Sequence, residues 1–565
     1  MSNESPDSAS APALLSIEEA DARLQSPGSP FELAEETVLG ETMQVYKNRA
    51  GSLRELLAQS AAHGDKDYLV FSDGRRWTYT QHLADVTSVA AALRDKYDVQ
   101  PGDHVAILAA NTPEWILTYW ATVSLGAVVI SMNGWWAGDE IQYGLDLSKP
   151  KLLFVDERRG ERLEGLNVEA NVISFEKEFE SLIQYDRDAA LPSQPIDEDA
   201  PCLLLFTSGT TGRPKGALVS HRTLIAFTTS TFYIGARRGM TEPPVGGPPG
   251  ATLAPFPLFH LSGSMGSTTS MLAAGMKTVW PMGRFDPAQI IQLSIEEEVT
   301  VWTGATTHIF RLLDHPDIGK LDTARFGNVG VGGSASTPEL LRSIAERFPH
   351  LSGGTGSGYG SSETGGLVSY ANSATLKKWA NCVGAPLPTV QIKAVDDDGH
   401  EMPEGENGRI CVRSPMVMLE YLNNPKANKE NFLPGRWIDT GDFGHIKEGK
   451  LFLESRLRDM IIRGGENIYP AEIENRIELH PAVFEVAVYG VPDRELGQRV
   501  KAVIVPNAGS NPTEAEIREF AAETLAYFKV PEQIEIRAES LPRNATGKVM
   551  KHVLSGEGEN TFVEE

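Results

Sequence analysis

The sequence predicts an α/β fold, in which a large layered α/β N-terminal domain is followed by a small α+β C-terminal domain. Its 565 residues exceed the ~100–200 residues of a usual single domain. Strand-like and helix-like segments alternate over most of the chain, as in layered α/β domains. After about residue 455 this alternation changes. We therefore predict an N-terminal tail and lead-in at 1–45, a large domain at 46–455 and a small domain at 456–565.

The first part of the large domain contains a helix pattern and a strand pattern. Leu83, Val86, Val89 and Leu93 recur at helical spacing and predict a helix. The apolar run 104–109 predicts the strand that follows it. This order is the one expected of a layered α/β domain.

An uncharged segment, residues 115–138, raises the question of a membrane span, because ~20 apolar residues can cross a bilayer. Hydroxyl and amide side chains interrupt it. Gly126 separates a helix-like half from the run 127–130, which has the composition of a buried parallel strand. We predict a helix and a strand here, and no integral membrane span.

The small domain is predicted from five short segments. A helix is expected near 471–479, strands at 485–491 and 499–505, a further helix from Thr513, and a last strand at 533–536. Together these segments indicate a small α+β unit.

Charge and cysteine content narrow the classes of function. Lys and Arg number 51 against 76 Asp and Glu, which gives a formal charge of −25 and predicts no nucleic-acid partner. Cys202, Cys382 and Cys411 lie far apart, which argues against a disulfide scaffold or a structural zinc site. Residues 1–13 lack the features of a secretory signal and are expected to form a disordered tail. The predicted location is cytoplasmic.

A loop rich in glycine and hydroxyl groups follows the buried-strand run 203–206. Glycines let backbone N–H groups approach phosphate oxygens, hydroxyls add donors, and lysine neutralises charge. The spacing is not that of a Walker A loop, and Pro214 lacks a backbone donor. The composition alone fits a polyphosphate site and a plain linker about equally. The loop comprises Thr207, Ser208, Gly209, Thr210, Thr211, Gly212, Arg213, Pro214, Lys215 and Gly216.

This segment resembles the phosphate-binding signature of the adenylate-forming (AMP-binding) superfamily, in its acyl-CoA synthetase and fatty-acid–CoA ligase branch. Four more segments resemble that family's motifs in the same order, so that the resemblance extends over about residues 50–552. They are an adenine and magnesium motif at 359–365, a ribose motif at 437–442, a hinge at 455–459 and a lysine loop at 542–548. The resemblance implies a small domain that rotates about the hinge.

The resemblance also implies ATP, Mg²⁺ and coenzyme A as cofactors. Lys548, Glu363, His260 and Lys215 are the predicted catalytic residues, with Glu363 as the metal ligand and His260 as a gate at the carboxylate pocket. Physically, Tyr359 can offer its face to a purine and Glu363 is a hard oxygen ligand. The predicted cofactor-binding residues beyond the phosphate loop are Gly333, Ser334, Tyr359, Gly360, Ser361, Ser362, Asp442, Arg456, Gly464, Gly465, Asn467 and Lys548.

The predicted function is an ATP-dependent acyl-CoA synthetase acting on a small-molecule carboxylic acid through an acyl-adenylate. The predicted substrate class is a fatty, aryl or steroid side-chain acid. A free-standing enzyme that loads a carrier protein, a luciferase-like oxidase and a non-enzymatic nucleotide-binding regulator are the alternatives. A homo-oligomer is left open. One departure from the family pattern is Glu420, where relatives usually carry glycine before the tyrosine.

Overall fold

The computed structural model describes residues 14–207, 214–247, 250–331, 338–351, 356–379, 381–456, 459–463, 466–544 and 547–556. Arg456 and Asn467 are among the residues that it describes by their backbone alone.

The described residues contain 28 strands. In chain order the described strands are β1 (Leu33–Val38), β2 (Glu41–Tyr46), β3 (Asp67–Phe71), β4 (Arg76–Thr78), β5 (His104–Leu108), β6 (Val128–Ser131), β7 (Leu152–Val155), β8 (Asn171–Ser174), β9 (Pro201–Thr207), β10 (Lys215–Ser220), β11 (Ala251–Leu253), β12 (Lys277–Trp280), β13 (Val299–Gly304), β14 (Asn328–Val331), β15 (Ser357–Ser361), β16 (Gly366–Ala371), β17 (Cys382–Pro386), β18 (Gln391–Val395), β19 (Gly408–Arg413), β20 (Glu420–Tyr421), β21 (Phe432–Leu433), β22 (Trp437–Lys447), β23 (Lys450–Arg456), β24 (Ile461–Arg463), β25 (Glu466–Ile468), β26 (Val483–Asp493), β27 (Gly497–Pro506) and β28 (Gln533–Ile536).

The helices lie mostly between these strands, and a π-helix spans Ser262–Ser270. The described α-helices are α1 (Ile17–Leu24), α2 (Leu53–Gln59), α3 (Tyr79–Tyr97), α4 (Pro113–Ser124), α5 (Gly138–Ser148), α6 (Glu157–Gly160), α7 (Phe179–Ile183), α8 (His221–Thr241), α9 (Met271–Ala273), α10 (Pro287–Glu296), α11 (Thr306–Leu313), α12 (Pro338–Arg347), α13 (Ser373–Lys378), α14 (Pro425–Asn431), α15 (Pro470–Ile477), α16 (Glu514–Ala522) and α17 (Lys551–Leu554).

Two sheets with parallel centres form the body of the large domain. In the part of the chain that the structure describes, the first sheet has the order β20-β10-β9-β6-β5-β7-β8, with β5 to β9 parallel and β10 and β20 antiparallel. The second has the order β14-β13-β11-β12-β3-β4 and is parallel except at β4. Parallel strands covered on both faces need continuous apolar sequence, which the runs 128–131 and 203–206 supply.

Helices α3 and α4 fill the space between these sheets. One apolar cluster joins them to Ile107 and Leu205 of the first sheet and to Phe71 and Trp280 of the second. Most of the uncharged segment 115–138 forms α4 and β6. The two elements are separated at Gly126, where a φ of +76° ends the helical conformation. Among the described residues, no helix is both long and apolar enough to cross a bilayer.

Residues 357–456 form a third sheet, which the sequence did not predict. It is antiparallel in the order β15-β16-β17-β23-β22-β19-β18, with β21 beside β22. Its edge strand β15 and its central pair β22 and β23 carry the residues assigned to adenine and ribose binding. The end of the predicted lead-in, together with Tyr46, forms the hairpin of β1 and β2.

The small α+β unit follows the sequence prediction closely. The expected helices correspond to α15 and α16, and the expected strands to β26, β27 and β28. These strands pair in the order β25-β24-β27-β26, with β28 parallel to β27. The predicted fold class, a large α/β domain followed by a small α+β domain, is confirmed. The boundaries at 45 and 455 stay predictions.

A buried histidine in α3 gives this fold a pH-dependent stability. His82 is fully buried between the rings of Tyr68 and Trp120, 4.9 and 6.5 Å away. Among the described residues neither ring nitrogen has a hydrogen-bond partner. Burial lowers the pKa of His82 to about 3.

We expect His82→Leu to reduce the acid sensitivity of folding. Between pH 6.5 and about 3, the unfolded chain protonates this histidine while the folded chain does not, so the free energy of unfolding falls as pH falls. The loss is ~1.4 kcal/mol per pH unit. Urea denaturation at pH 7.0 and 5.5 should show a smaller decrease for His82→Leu than for wild type. His400→Gln, at an exposed position, is the matched control. An equal decrease in all three proteins would contradict a neutral buried His82.

Candidate active site

The predicted phosphate loop connects two antiparallel strands. Thr207 at the end of β9 pairs with Lys215 at the start of β10, and Phe206 pairs with Gly216. The connection is therefore strand to strand, whereas a Walker A loop leads from a strand into a helix. Residues 208–213 lie outside the described residues. Thr207 and Lys215, at the two ends of the loop, are directly opposite each other.

The adenine and magnesium motif forms the turn between β15 and β16. Gly360 lies where β15 passes close to the backbone of β16, because a Cβ there would be 1.7 Å from the Gly366 carbonyl oxygen. Within the turn, Thr364 Oγ1 accepts a hydrogen bond from the Ser361 N–H at 2.8 Å. Gly365 has a φ of +71°, which favours glycine. Ser362 and Glu363 are thus held in a tightly closed turn.

The ribose motif and the adenine motif meet at Asp442. This aspartate is 7% exposed in β22, and in the sheet register it pairs with Arg456 of β23. The Tyr359 hydroxyl donates a hydrogen bond of 2.6 Å to Asp442 Oδ2. Thr440 Oγ1 accepts from the Asp442 N–H at 3.2 Å. Tyr359, Asp442 and Arg456, predicted from separate motifs, are brought together.

A tyrosine joins the phosphate loop to the predicted metal ligand. The Tyr421 hydroxyl donates to Glu363 Oε1 at 3.1 Å, and Lys215 Nζ lies 4.8 Å from the centroid of the Tyr421 ring. Burial, together with the adjacent Glu363 carboxylate, raises the pKa of the Tyr421 hydroxyl above its ordinary range. It therefore remains a hydrogen-bond donor at physiological pH.

His260 lies at the start of the π-helix. Its carbonyl oxygen accepts from the N–H groups of Gly263 and Ser264, and its ring lies 4.6 Å from that of Phe259. Its Nε2 is buried with no hydrogen-bond partner among the described residues. Burial lowers the pKa of His260 to about 4, so the imidazole is neutral at pH 7. A neutral ring can swing without moving a charge, which suits the predicted gate.

Hydrogen bonds join the two described parts of the lysine loop on the small domain. Lys548 and Asn544 exchange two hydrogen bonds of 2.9 Å, from the Lys548 N–H to Asn544 Oδ1 and from the Asn544 N–H to the Lys548 carbonyl. Arg543 donates to the Gly547 carbonyl and, at 2.9 Å, to Glu485. The Glu485 side chain is only 8% exposed, so this ion pair is largely shielded from water.

The small domain also contacts the large domain near α11. The rings of Phe310 and Phe484 are 5.9 Å apart. Burial lowers the pKa of His308 to about 4, and the charges of Arg311 and Arg543 contribute to this shift. Arg543 of the lysine loop thus lies close enough to α11 to influence a large-domain histidine.

The predicted coenzyme A segment is part of a hairpin. Strands β24 and β25 pair Arg463 with Glu466 and Ile462 with Asn467. Hinge residues 457–458 lie outside the described residues. The predicted site residues that also lie outside them are Ser208, Gly209, Thr210, Thr211, Gly212, Gly333, Ser334, Gly464 and Gly465.

Sequence reasoning missed the residues that support the predicted ones. In the sequence, Tyr421 was considered only as the neighbour of Glu420. Its contacts could not be predicted because they depend on the pairing of β20 with β10. Glu485 lies in a predicted strand but carries no motif. Glu420 itself is exposed on β20, which explains how a carboxylate is tolerated at this position.

Comparison with known proteins matches most of the chain to two family descriptions. The sequence model of the AMP-binding enzyme family matches residues 56–422, and that of the AMP-binding enzyme C-terminal domain matches residues 472–548. Together they include the phosphate loop, the adenine and magnesium motif and the lysine loop, whereas the ribose and hinge motifs lie between the two matched ranges.

Individual relatives align over nearly their whole length. The indoleacetate–CoA ligase of Aromatoleum aromaticum is 31% identical, covering 84% of this chain and 92% of the relative. The fatty acid–[acyl-carrier-protein] ligase ScoC of Streptomyces coeruleorubidus is 30% identical, covering 87% and 94%. The crystal structure of ATP-bound MatB from Rhodopseudomonas palustris superposes with a TM-score of 0.78 at 28% identity, covering 90% and 99%.

We expect Gly360→Ala to separate β15 from β16, because the new methyl group would meet the backbone of Gly366. Overpacking of this kind costs ~1–3 kcal/mol. The displaced Tyr359 should also weaken ATP binding. Thermal melting and titration calorimetry with ATP measure the two effects. Gly358→Ala is the matched control on the same strand, since the three atoms nearest to its methyl group would all belong to the Leu367 side chain and none to the backbone. Equal behaviour of the two variants would contradict the backbone clash.

Proposed function

Because this chain belongs to the AMP-binding enzyme family, we propose that it is an ATP-dependent acyl-CoA synthetase that joins a carboxylic acid to the thiol of coenzyme A. Membership of this family confirms the predicted resemblance and the prediction that the protein is an enzyme. It therefore argues against the alternative of a non-enzymatic regulator. The observation that carries the proposal is the convergence of the phosphate loop, the Glu363 turn and the Asp442 strand, joined through Tyr421 and Tyr359.

The first half-reaction activates the acid. A carboxylate oxygen attacks the α-phosphorus of ATP, the bond to the β-phosphate oxygen breaks, and pyrophosphate leaves with its electrons. Such chemistry depends on positioning and charge neutralisation. We assign the β- and γ-phosphates to Lys215 and the loop from Thr207 to Thr211, the ribose to Asp442 and Arg456, and the adenine to Tyr359.

The residues present fit a Mg²⁺ ion. Glu363 offers a hard carboxylate whose Oε1 accepts from Tyr421, and among the described residues it forms no ion pair. One protein carboxylate beside substrate phosphates is typical of Mg²⁺ sites. Glu363 is thus the residue that would hold the ion, and bound Mg²⁺ would neutralise charge on the phosphate oxygens.

The second half-reaction forms the thioester. The sulfur of coenzyme A attacks the acyl carbon, the carbon–oxygen bond to AMP breaks, and the thiol proton passes to solvent. We assign the thiol path to the hairpin segment with Gly464, Gly465 and Asn467, brought to the site by rotation of the small domain after residue 455. His260 gates the carboxylate pocket.

The acyl group is proposed to be a fatty, aryl or steroid side-chain acid. Gly266 of the π-helix lies within two turns of His260, and a Cβ built there would meet nothing within 4 Å. The open position at Gly266, in the π-helix that begins just after the neutral His260, would accommodate an apolar group. Relatives that act on indoleacetate and on a fatty acid support this range. A cytoplasmic location and a homo-oligomer stay predictions.

A carrier protein is the second candidate acceptor, favoured by the carrier-protein ligase among the relatives. Acid-dependent exchange between labelled pyrophosphate and ATP, over a panel of fatty, aryl and steroid side-chain acids, tests the first half-reaction. Mass spectrometry with coenzyme A or a phosphopantetheinylated carrier protein then identifies the acceptor. We expect exchange with at least one acid, and a thioester with coenzyme A. Absence of exchange with every acid class would contradict the proposal.

We expect Lys548→Ala to affect the two half-reactions unequally. In adenylation its ammonium lies between the carboxylate and the α-phosphate, so its loss should lower the rate by ~10²–10³. In thioester formation from supplied acyl-adenylate, the rotated small domain carries Lys548 away, and the rate should stay near that of wild type. Single-turnover assays of each step measure this.

Lys501→Ala provides the matched control, because Lys501 lies in β27 of the same domain and pairs with Glu535 at 2.7 Å. It should leave both half-reactions near wild type. An equal loss in both steps for Lys548→Ala would indicate a docking or folding defect and remove the catalytic assignment.

A further inference from the structure

Tyr421 makes contacts with two of the four residues predicted to be catalytic. Its hydroxyl donates to Glu363 Oε1 at 3.1 Å, and its ring lies beneath the ammonium of Lys215 at 4.8 Å. The residue is 4% exposed. One side chain thus joins the predicted metal ligand to the predicted phosphate-binding lysine, although the two are 148 residues apart in the sequence.

The backbone around Tyr421 is fixed on both sides. In the sheet register Tyr421 pairs with Ala217 of β10, two residues after Lys215. Asn428 accepts from the Tyr421 N–H at 2.7 Å and donates to its carbonyl oxygen at 3.0 Å. The Met418 N–H donates to the Glu363 carbonyl at 3.0 Å. The backbone that carries the Tyr421 ring is therefore anchored beside both partners.

We propose that Tyr421 is a positioning residue for Mg·ATP, which holds the Glu363 carboxylate by a hydrogen bond and the Lys215 ammonium by its ring face. This inference rests on the proposed function, which assigns Mg²⁺ to Glu363 and the ATP phosphates to Lys215. The two contacts serve different parts of the ligand. The hydroxyl acts through the metal ligand, and the ring acts through the lysine.

The chemistry of each contact explains its effect. A hydrogen bond to one carboxylate oxygen restricts the orientation of the carboxylate and leaves the second oxygen available to a cation. A cation over an aromatic face is held without a negative partner, so the full charge of Lys215 remains available to phosphate. A carboxylate in place of the ring would compete with ATP for the lysine.

Two substitutions separate the contacts. Tyr421→Phe keeps the ring and removes the hydroxyl, whereas Tyr421→Leu removes both. Titration calorimetry with ATP, in the presence of Mg²⁺ and in EDTA, reports binding independently of turnover. For Tyr421→Phe we expect the Kd of Mg·ATP to rise about tenfold, as for the loss of a hydrogen bond to a charged group. Its Kd for metal-free ATP should match that of wild type.

Tyr421→Leu should in addition weaken the binding of metal-free ATP by about threefold, because Lys215 loses its support. Tyr79→Phe is the matched control. The Tyr79 hydroxyl is also buried and donates to the carbonyl oxygens of Met271 and Met276, away from the site. This control should bind both forms of ATP as wild type does, and thermal melting verifies that all variants are folded.

Two results would overturn the inference. One is unchanged Mg·ATP binding by Tyr421→Phe, and the other is an equal loss of Mg·ATP and metal-free ATP binding by that variant, which indicates a general structural effect. Failure of the proposed function is distinguishable, because it appears in wild type as absence of acid-dependent pyrophosphate exchange. The binding measurements with the variants do not depend on that exchange.

Discussion

The pairing of residues 418–422 with two distant segments is the constraint on which the site depends. The Leu419 N–H donates to the Leu218 carbonyl at 2.7 Å, and the Leu422 N–H donates to the Gly216 carbonyl at 2.8 Å. The neighbouring Met418 N–H donates to the carbonyl of Glu363 at 3.0 Å. Backbone hydrogen bonds fix spacing independently of side-chain choice. They bring the phosphate loop and the Glu363 turn into fixed register before any ligand binds.

The sequence was informative wherever structure is set by local pattern. Strand β9, the separation of α4 from β6 at Gly126, and the strands β26 to β28 were all predicted, because apolar periodicity and a helix-ending glycine act within a few residues. The third sheet was missed. Its strands are interrupted by register shifts, for example between Cys382 and Gly384, which obscure the alternation that identifies a strand.

In the candidate site, too, the sequence identified residues by local pattern but not the contacts that depend on strand pairing. Motif residues such as Glu363 and Asp442 could be named from the sequence because their chemistry suits metal and ribose. Their partners Tyr421 and Tyr359 could not be assigned as partners, since those hydrogen bonds follow from strand register and not from spacing along the chain. Glu420 illustrates the converse. Its departure from the family pattern had no explanation in the sequence, and the structure places Glu420 at an exposed edge position.

The anchoring of the lysine loop determines how Lys548 can move. Arg543 ties the loop to Glu485, the other carboxylate oxygen of Glu485 accepts from the Leu541 N–H at 3.1 Å, and Asn544 pairs with Lys548. Removing one partner of a shielded ion pair leaves an uncompensated charge, so the loop resists separation from β26. Bending of the loop alone would break these contacts. Displacement of the Lys548 backbone is therefore expected to require movement of β26 together with the described part of the loop.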